Sequence, residues 1–157
     1  MKVLIYVFTV LILVSCSNEQ NITSEQDLVK DQKYNWRLVT SWPKNYPGLG
    51  MAPERIADLV EEMSNGQMKI TVYGAEEQVP AFGVFDAVSS GSHQMGHSGG
   101  YFWKGKVPAA QFFTSVPFGL TADEINAWVN RGGGLELWRE IYAPFNIYPI
   151  PAGNTGT

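Results

Sequence analysis

One stretch of the sequence alternates between short β-branched segments and longer amphipathic ones, and this alternation constrains the fold more than any other feature. Residues 34–40 (YNWRLVT) and 68–73 (MKITVY) are typical of strands. Each is followed by an amphipathic segment with a proline near its start, Pro53 or Pro80, and a glycine at its end. A short, weak third strand follows at residues 94–95. Repetition of strand and helix at this spacing predicts an α/β fold with a parallel sheet and right-handed crossovers.

The first predicted helix has apolar residues at positions i, i+3, i+4 and i+7, which places them on one face. Acidic residues occupy the other faces, and Asn65 with Gly66 provides the stop signal. The face that we expect to pack on the sheet consists of Ile56, Leu59, Val60 and Met63.

The second half of the domain gives mixed signals. Residues 109–118 are apolar and could form a strand or a buried extended segment, which periodicity does not decide. Thr121 and Glu124 form a capping box, which predicts the start of a helix. A second helix follows and ends at Pro144, and residues 146–150 are then expected to form a final strand.

The first fifteen residues are typical of a bacterial signal peptide. Residues 3–14 carry no charge, but they are too short to cross a hydrocarbon core of ~30 Å as a helix. They lead into Leu-Val-Ser-Cys, which resembles the lipobox of bacterial lipoproteins and implies lipidation at Cys16. An ordinary signal peptide with an incidental cysteine is the alternative. Residues 16–33 are polar and are expected to act as a flexible tether, so that the protein lies in the periplasm or cell envelope, anchored to the membrane by lipid.

Charge and cysteine content exclude several kinds of partner. The formal net charge is −4, and loss of Lys2 with the leader makes it −5, so a basic surface that follows a phosphate backbone is not expected. We therefore predict no nucleic acid partner. A single cysteine can form neither an intramolecular disulfide nor a thiolate metal cluster.

Three short motifs suggest chemistry, and each has a simpler interpretation. Residues 96–100 match G-x-S-x-G, which raises the alternative of an envelope serine esterase with Ser98 as nucleophile, although the following residues are poor helix formers. Residues 100–106 read G-x-x-x-x-G-K, but Val107 replaces the hydroxyl that a phosphate loop needs. His93 and His97 have a metal-binding spacing only on a helix, so ordinary loop or core histidines are expected.

Several aromatic residues follow the predicted strands. An open parallel sheet binds its ligand beyond the carboxyl ends of its strands, so a role in a cleft and ordinary core packing are both open for these residues. They are Trp42, Tyr101, Phe102 and Trp103.

Four segments together resemble a known family. They are residues 41–50 (SWPKNYPGLG), 79–91 (VPAFGVFDAVSSG), 95–120 (MGHSGGYFWKGKVPAAQFFTSVPFGL) and 132–157 (GGGLELWREIYAPFNIYPIPAGNTGT). The resemblance is to the solute-binding subunits of tripartite ATP-independent periplasmic (TRAP) transporters, in particular the DctP-like branch that binds 2-oxo acids. It implies a two-lobed α/β fold like that of type II periplasmic binding proteins. Residues 34–150 would form lobe 1 and residues 151–157 would cross into a truncated lobe 2, so the chain is expected to be an N-terminal fragment.

The same resemblance implies a receptor rather than an enzyme. It would bind a small carboxylate, such as pyruvate or a longer 2-oxo monocarboxylate, and deliver it to the TRAP membrane permease. By analogy Tyr101 would offer its hydroxyl to the solute, Trp42 would form a wall of the pocket and Asn154 its floor. An arginine of the second lobe and a bridging cation, sodium or calcium, would complete the site with ligands beyond Thr157, so no metal ligand is expected within the chain.

Overall fold

A parallel sheet of three strands organises the domain. The computed structural model describes residues 33–114 and 116–153. Strand β1 spans Tyr34–Thr40, β2 spans Met68–Tyr73 and β3 spans Met95–His97. The strand order is β2-β1-β3. The predicted α/β class and the first three predicted strands, including the weak third one, are confirmed.

The central strand β1 is flanked by strands that two different crossovers reach: the first leads from β1 to β2, and the second leads from β2 to β3 on the other side of β1. Residues Leu38 and Val39 are neighbours in β1, so their side chains point to opposite faces of the sheet. Leu38 packs with residues of the first crossover helix, whereas Val39 packs with Val84 of the second. The two crossovers therefore cover opposite faces. The carboxyl end of β1 is thus a point where the strand order reverses, which is where open α/β sheets bind ligands.

Helix α1 spans Met51–Met63 and connects β1 to β2. The face predicted to be buried is partly wrong, because Leu59 is 38% exposed and Met63 is 78% exposed. Val60 packs against the sheet as predicted, together with Ala57, which is buried and was not on the predicted face. The stripe that includes Pro53, Ala57 and Val60 satisfies the helical period equally well, and its small residues let the helix lie close to the strands.

Helix α2 begins later than predicted. Pro80 precedes a 3₁₀ turn at Ala81–Gly83, and α2 follows at Val84–Ser89. Val84 and Phe85 are buried, whereas Phe82 is 68% exposed. The 3₁₀ turn rotates Phe82 off the buried face that continuous α-helical spacing would give it.

Two segments differ from the predicted strand or extended structure. Pro108–Phe113 forms a 3₁₀ helix. Pro108 is its first residue, a position where the missing N–H group does no harm. Residues 146–150 form no strand, which corrects that prediction. Asn146 has a φ of 56°, in the left-handed region, which interrupts an extended backbone. Tyr148 and Ile150 are exposed, and no strand within the described residues pairs with this segment.

The two predicted helices of the second half are confirmed. Helix α3 spans Ala122–Arg131 and carries the predicted capping box of Thr121 and Glu124. Helix α4 spans Gly134–Tyr142. The Phe113 ring lies between α3 and α4; its centroid is 5.4 Å from that of Trp128 and 5.2 Å from that of Trp138.

Several predictions fall outside the described residues. These are the signal peptide of residues 1–15, lipidation at Cys16, all but the last residue of the tether at 16–33, and Asn154. Within the described part of the chain, no helix combines the length and apolar character needed to span a membrane.

Candidate functional site

The carboxyl ends of β1 and β3 bring polar side chains together. Thr40 ends β1 and pairs in register with His97, which ends β3. Ser41 and Ser98 follow these two residues, and Thr40 and Ser41 are buried. Parallel strands end at the same edge of a sheet, and here they place three hydroxyl groups and one imidazole beside each other. This edge is the candidate site.

Aromatic rings cover this edge of the sheet. The Trp42 ring centroid lies 5.1 Å from that of His97 and 6.1 Å from that of Phe102. Phe102 in turn lies 5.0 Å from Phe82 and 4.5 Å from Tyr101. We refer to these five residues as the aromatic cluster. Phe82 and Tyr101 are exposed, so the cluster presents an open apolar surface beside buried polar groups.

A 3₁₀ turn at Gly100–Trp103 decides which aromatic residues face outward. Trp103 points into the core, where its Nε1 donates a hydrogen bond of 2.6 Å to the hydroxyl of Tyr142. Its ring centroid lies 5.2 Å from that of Phe85. With Trp103 fixed inside, Tyr101 lies on the outer side of the turn and is 41% exposed.

Burial raises the pKa of the Tyr142 hydroxyl, and the indole N–H groups of Trp103 and Trp138 act in the opposite direction. The Trp138 contact does not meet hydrogen-bond geometry, and its Nε1 is buried without a partner among the described residues. The hydroxyl is thus neutral at pH 7, and it accepts a hydrogen bond from Trp103.

Two glycines at the start of the turn, Gly99 directly before it and Gly100 as its first residue, are required by close contacts. A Cβ atom on Gly99 would lie 2.6 Å from the Tyr101 ring, so this ring packs against the bare backbone. A Cβ atom on Gly100 would lie 2.6 Å from the carbonyl oxygen of Ala110. The Gly-Gly pair therefore lets the turn approach the core and lets Tyr101 fold back over the chain.

The serine hydroxyls form a short chain with a defined direction. Ser41 Oγ donates to the carbonyl oxygen of Ala81 at 2.7 Å. It also lies 2.5 Å from Ser98 Oγ. Because a hydroxyl has one proton, Ser41 must accept from Ser98 when it donates to Ala81. The Ser98 proton is therefore committed to Ser41.

This geometry gives no support to the esterase alternative. A nucleophilic serine needs a base within hydrogen-bonding reach, and a helix directly after it supplies oxyanion donors. Ser98 is hydrogen-bonded to Ser41 instead, and a 3₁₀ turn follows it. The Nδ1 atom of the adjacent His97 lies 3.4 Å from Thr40 Oγ1. Within the described part of the chain, His97 forms no hydrogen bond with Ser98.

The two histidines occupy different environments. His93 is buried, its Nδ1 lies 3.1 Å from Ser92 Oγ, and its Nε2 has no partner in the described part of the chain. Burial, and then the Arg37 guanidinium, lower the pKa of His93. Burial also lowers the pKa of His97. The residues described by the structure contain no group of three or more His, Cys, Asp or Glu side chains placed to hold a metal ion.

The structure brings two of the residues singled out from the sequence to one place. Trp42 and Tyr101 both belong to the aromatic cluster and are linked through Phe102. The sequence analysis did not single out Phe82, which lies in the segment predicted to be helical after Pro80, and it assigned His97 to ordinary packing. For His97, a signal was present: it directly follows a predicted strand, and the edge beyond parallel strands is where ligands bind.

Comparison with known proteins places these features in a family. The chain is 46% identical, over 144 residues, to the monocarboxylate 2-oxoacid-binding periplasmic protein of Nostoc sp.; the match covers 92% of this chain and 38% of that protein. A TRAP periplasmic solute-binding protein from Pseudoalteromonas atlantica, solved with bound sodium and pyruvate, is 47% identical with a TM-score of 0.74, and the match covers 76% of this chain and 36% of that one. The corresponding protein from Colwellia psychrerythraea, solved with calcium and pyruvate, is 44% identical with a TM-score of 0.74, covering 76% and 37%.

The chain therefore spans less than two fifths of the length of these relatives. The sequence model of the bacterial extracellular solute-binding proteins of family 7, DctP, matches residues 38–154, from within β1 to one residue past the described region. The match includes the strand ends, the aromatic cluster and the Gly-Gly turn. The chain belongs to the DctP family of TRAP solute-binding proteins, and it represents part of their two-lobed α/β fold.

Proposed function

We propose that the chain forms the first lobe of an extracytoplasmic receptor for a small carboxylate, a 2-oxo acid such as pyruvate. The observation that carries the proposal is the aromatic cluster at the strand-order reversal, in a chain whose relatives were solved with pyruvate. Trp42 would form a wall of the pocket, Tyr101 would donate its hydroxyl to the solute and Asn154 would lie at the floor. Residues 34–150 would make up lobe 1, and residues 151–157 would lead into the second lobe.

The charge of the solute requires a partner that the described residues do not supply. Among the described residues, no arginine side chain forms an ion pair, hydrogen bond or cation–π contact with the aromatic cluster. Arg37 donates to the carbonyl oxygen of Ser92, and the Arg139 guanidinium lies 4.4 Å from the Tyr148 ring centroid. A bidentate clamp on the carboxylate would therefore come from residues beyond Thr157. Closure of two lobes would then remove water from the anion and strengthen its hydrogen bonds.

The relatives contain a sodium or a calcium ion together with pyruvate. The described residues have no cluster of metal-ligating side chains that would fit such an ion. Hard cations of this kind take oxygen ligands, and we propose that these come from residues beyond Thr157.

Calorimetric titration of the complete gene product tests the proposal. Pyruvate and longer 2-oxo monocarboxylates should bind, whereas propionate, which lacks the 2-oxo group, should bind more weakly. A hydrogen bond to a charged group is worth about 1.5–3 kcal/mol, so Tyr101→Phe should weaken pyruvate binding by about tenfold or more. Tyr46→Phe, at another exposed tyrosine, is the matched control and should bind like the unsubstituted protein. Failure of every 2-oxo acid to bind would refute the receptor assignment.

We also propose that the receptor works without turnover, delivers its solute to the TRAP membrane permease and is held at the membrane through a lipid on Cys16. Pyruvate recovered after prolonged incubation should be chemically unchanged. In membrane fractionation, Cys16→Ser should move the protein to the soluble fraction. Retention of the variant in the membrane fraction would contradict the lipid anchor without affecting the receptor assignment.

A further inference from the structure

His97 stands out because its surroundings determine where its proton lies. Its ring packs against the Trp42 ring, with an interplanar angle of 56° and centroids 5.1 Å apart. Its Nδ1 atom lies 3.4 Å from Thr40 Oγ1, a long hydrogen bond across the paired ends of β1 and β3. The ring is therefore held on both sides, by packing and by a polar contact.

Among the described residues, the Thr40 hydroxyl has one acceptor within reach for its proton. Thr40 is 1% exposed, so water does not reach it. Its Oγ1 already accepts a hydrogen bond from the backbone N–H of Trp42 at 3.2 Å. Among the described residues, the remaining neighbour within reach is His97 Nδ1. A buried hydroxyl proton left without an acceptor is costly, so Thr40 donates to Nδ1 and Nδ1 must carry a lone pair.

A neutral imidazole has one protonated nitrogen, so the proton of His97 lies on Nε2. Burial lowers the pKa of His97 below its ordinary value of 6.5, and the ring is therefore neutral at pH 7. His93 Nε2 is buried without a partner, but His97 Nε2 is not among such atoms. No hydrogen bond to His97 Nε2 is formed by any described residue. The Nε2 atom is thus not fully enclosed, and its N–H group has no hydrogen-bond partner among the described residues.

We propose that His97 is a solute-binding residue whose Nε2–H donates a hydrogen bond to an oxygen atom of the bound 2-oxo acid. This assignment rests on the proposed function, because it takes the aromatic cluster to be the solute site. A carboxylate or 2-oxo oxygen is an acceptor and matches an N–H group. A metal ion would need a lone pair on Nε2, so the same tautomer makes His97 a partner of the solute and not of the cation.

Two substitutions separate the roles of the ring nitrogens. His97→Gln places an amide N–H₂ near the position of Nε2 and keeps a donor toward the solute. His97→Asn keeps a polar atom near the position of Nδ1, beside Thr40, but does not reach the solute. We expect His97→Asn to weaken pyruvate or 2-oxovalerate binding by about tenfold and His97→Gln by less than about threefold. The two variants should have similar midpoints of urea denaturation.

Nitrogen NMR of the complete gene product with labelled histidine tests the tautomer directly. The His97 signals are identified by their loss in His97→Gln, and we expect a neutral ring protonated on Nε2 before solute is added. Equal affinity in both variants and the unsubstituted protein would overturn the proposal, as would equal losses in both. A ring protonated on Nδ1 would overturn it whatever the affinities. Absence of 2-oxo acid binding by the unsubstituted protein would instead overturn the proposed function.

Discussion

Replacing Tyr142 with Phe removes one oxygen atom from the core beneath the candidate site. Tyr142 is 3% exposed, and its hydroxyl accepts a hydrogen bond of 2.6 Å from Trp103 Nε1. Its ring meets Phe85 edge to face at a centroid distance of 6.0 Å, and a Phe ring can keep this contact. The substitution therefore isolates the hydrogen bond from the packing.

The expected loss of stability follows from the indole N–H group that remains. Trp103 packs against the buried cluster of Phe85, Val107, Ala110 and Tyr142, so its N–H group would lie in a largely apolar environment without an acceptor. A buried donor left unpaired costs about 1–3 kcal/mol. We expect Tyr142→Phe to lower the free energy of unfolding by about 2 kcal/mol.

Urea denaturation followed by circular dichroism measures this loss. Tyr148→Phe is the matched control, because Tyr148 is 66% exposed and its hydroxyl has no hydrogen-bond partner among the described residues. The control should change stability by less than about 0.5 kcal/mol, as surface substitutions usually do. A Tyr142→Phe variant that matches this control would refute the conclusion that the buried hydrogen bond holds the Gly100–Trp103 turn in place.

Three other substitutions test the local reasoning. Gly100→Ala should destabilise the protein by about 1–3 kcal/mol in thermal denaturation, because the new Cβ would lie 2.6 Å from the Ala110 carbonyl oxygen. Gly105→Ala is the control and should not destabilise it, because there is open space around Gly105. Thr121→Ala should cost about 1 kcal/mol in urea denaturation, because it removes the side-chain acceptor of the capping box. Hydrogen bonds with Thr121, first from its backbone and then from its side chain, lower the pKa of Glu124. The ionised Glu124 carboxylate therefore stabilises the fold above the ordinary carboxyl pKa of 4.5, and this stabilisation is lost as the pH falls through the lowered pKa. The stability advantage over Glu124→Gln should therefore be larger at pH 7 than at pH 3, and an equal difference at both would contradict this.

Patterns within a few residues predicted much of the fold. The capping box of Thr121 and Glu124 marked the start of α3, and the alternating residues of 68–73 marked β2 at its observed bounds. These signals are local, because caps and strand propensity depend on neighbouring residues in the chain. The strand at residues 146–150 was wrong because a strand also needs a partner, which the local pattern does not contain.

The candidate site was only partly predictable for the same reason. Trp42 and Tyr101 could be placed at a strand-end site by resemblance to a family and by the position of loops after strands. Phe82 was missed because a 3₁₀ turn, not a continuous helix, sets its direction. His97 was missed because its significance depends on the buried Thr40 hydroxyl, 57 positions away in the chain.

The sequence by itself determined the alternation of strands and helices over residues 34–97 and the parallel α/β class, since both depend on residue types and their local spacing. It also indicated the family, through the resemblance of four segments. Tertiary structure alone decided that Trp103 points inward and Tyr101 outward, and that the Ser98 proton is committed to Ser41. Burial and hydrogen-bond direction depend on atoms that meet only after the chain has folded. In this protein, the sheet edge joins residues 57 positions apart, and no local pattern encodes that meeting.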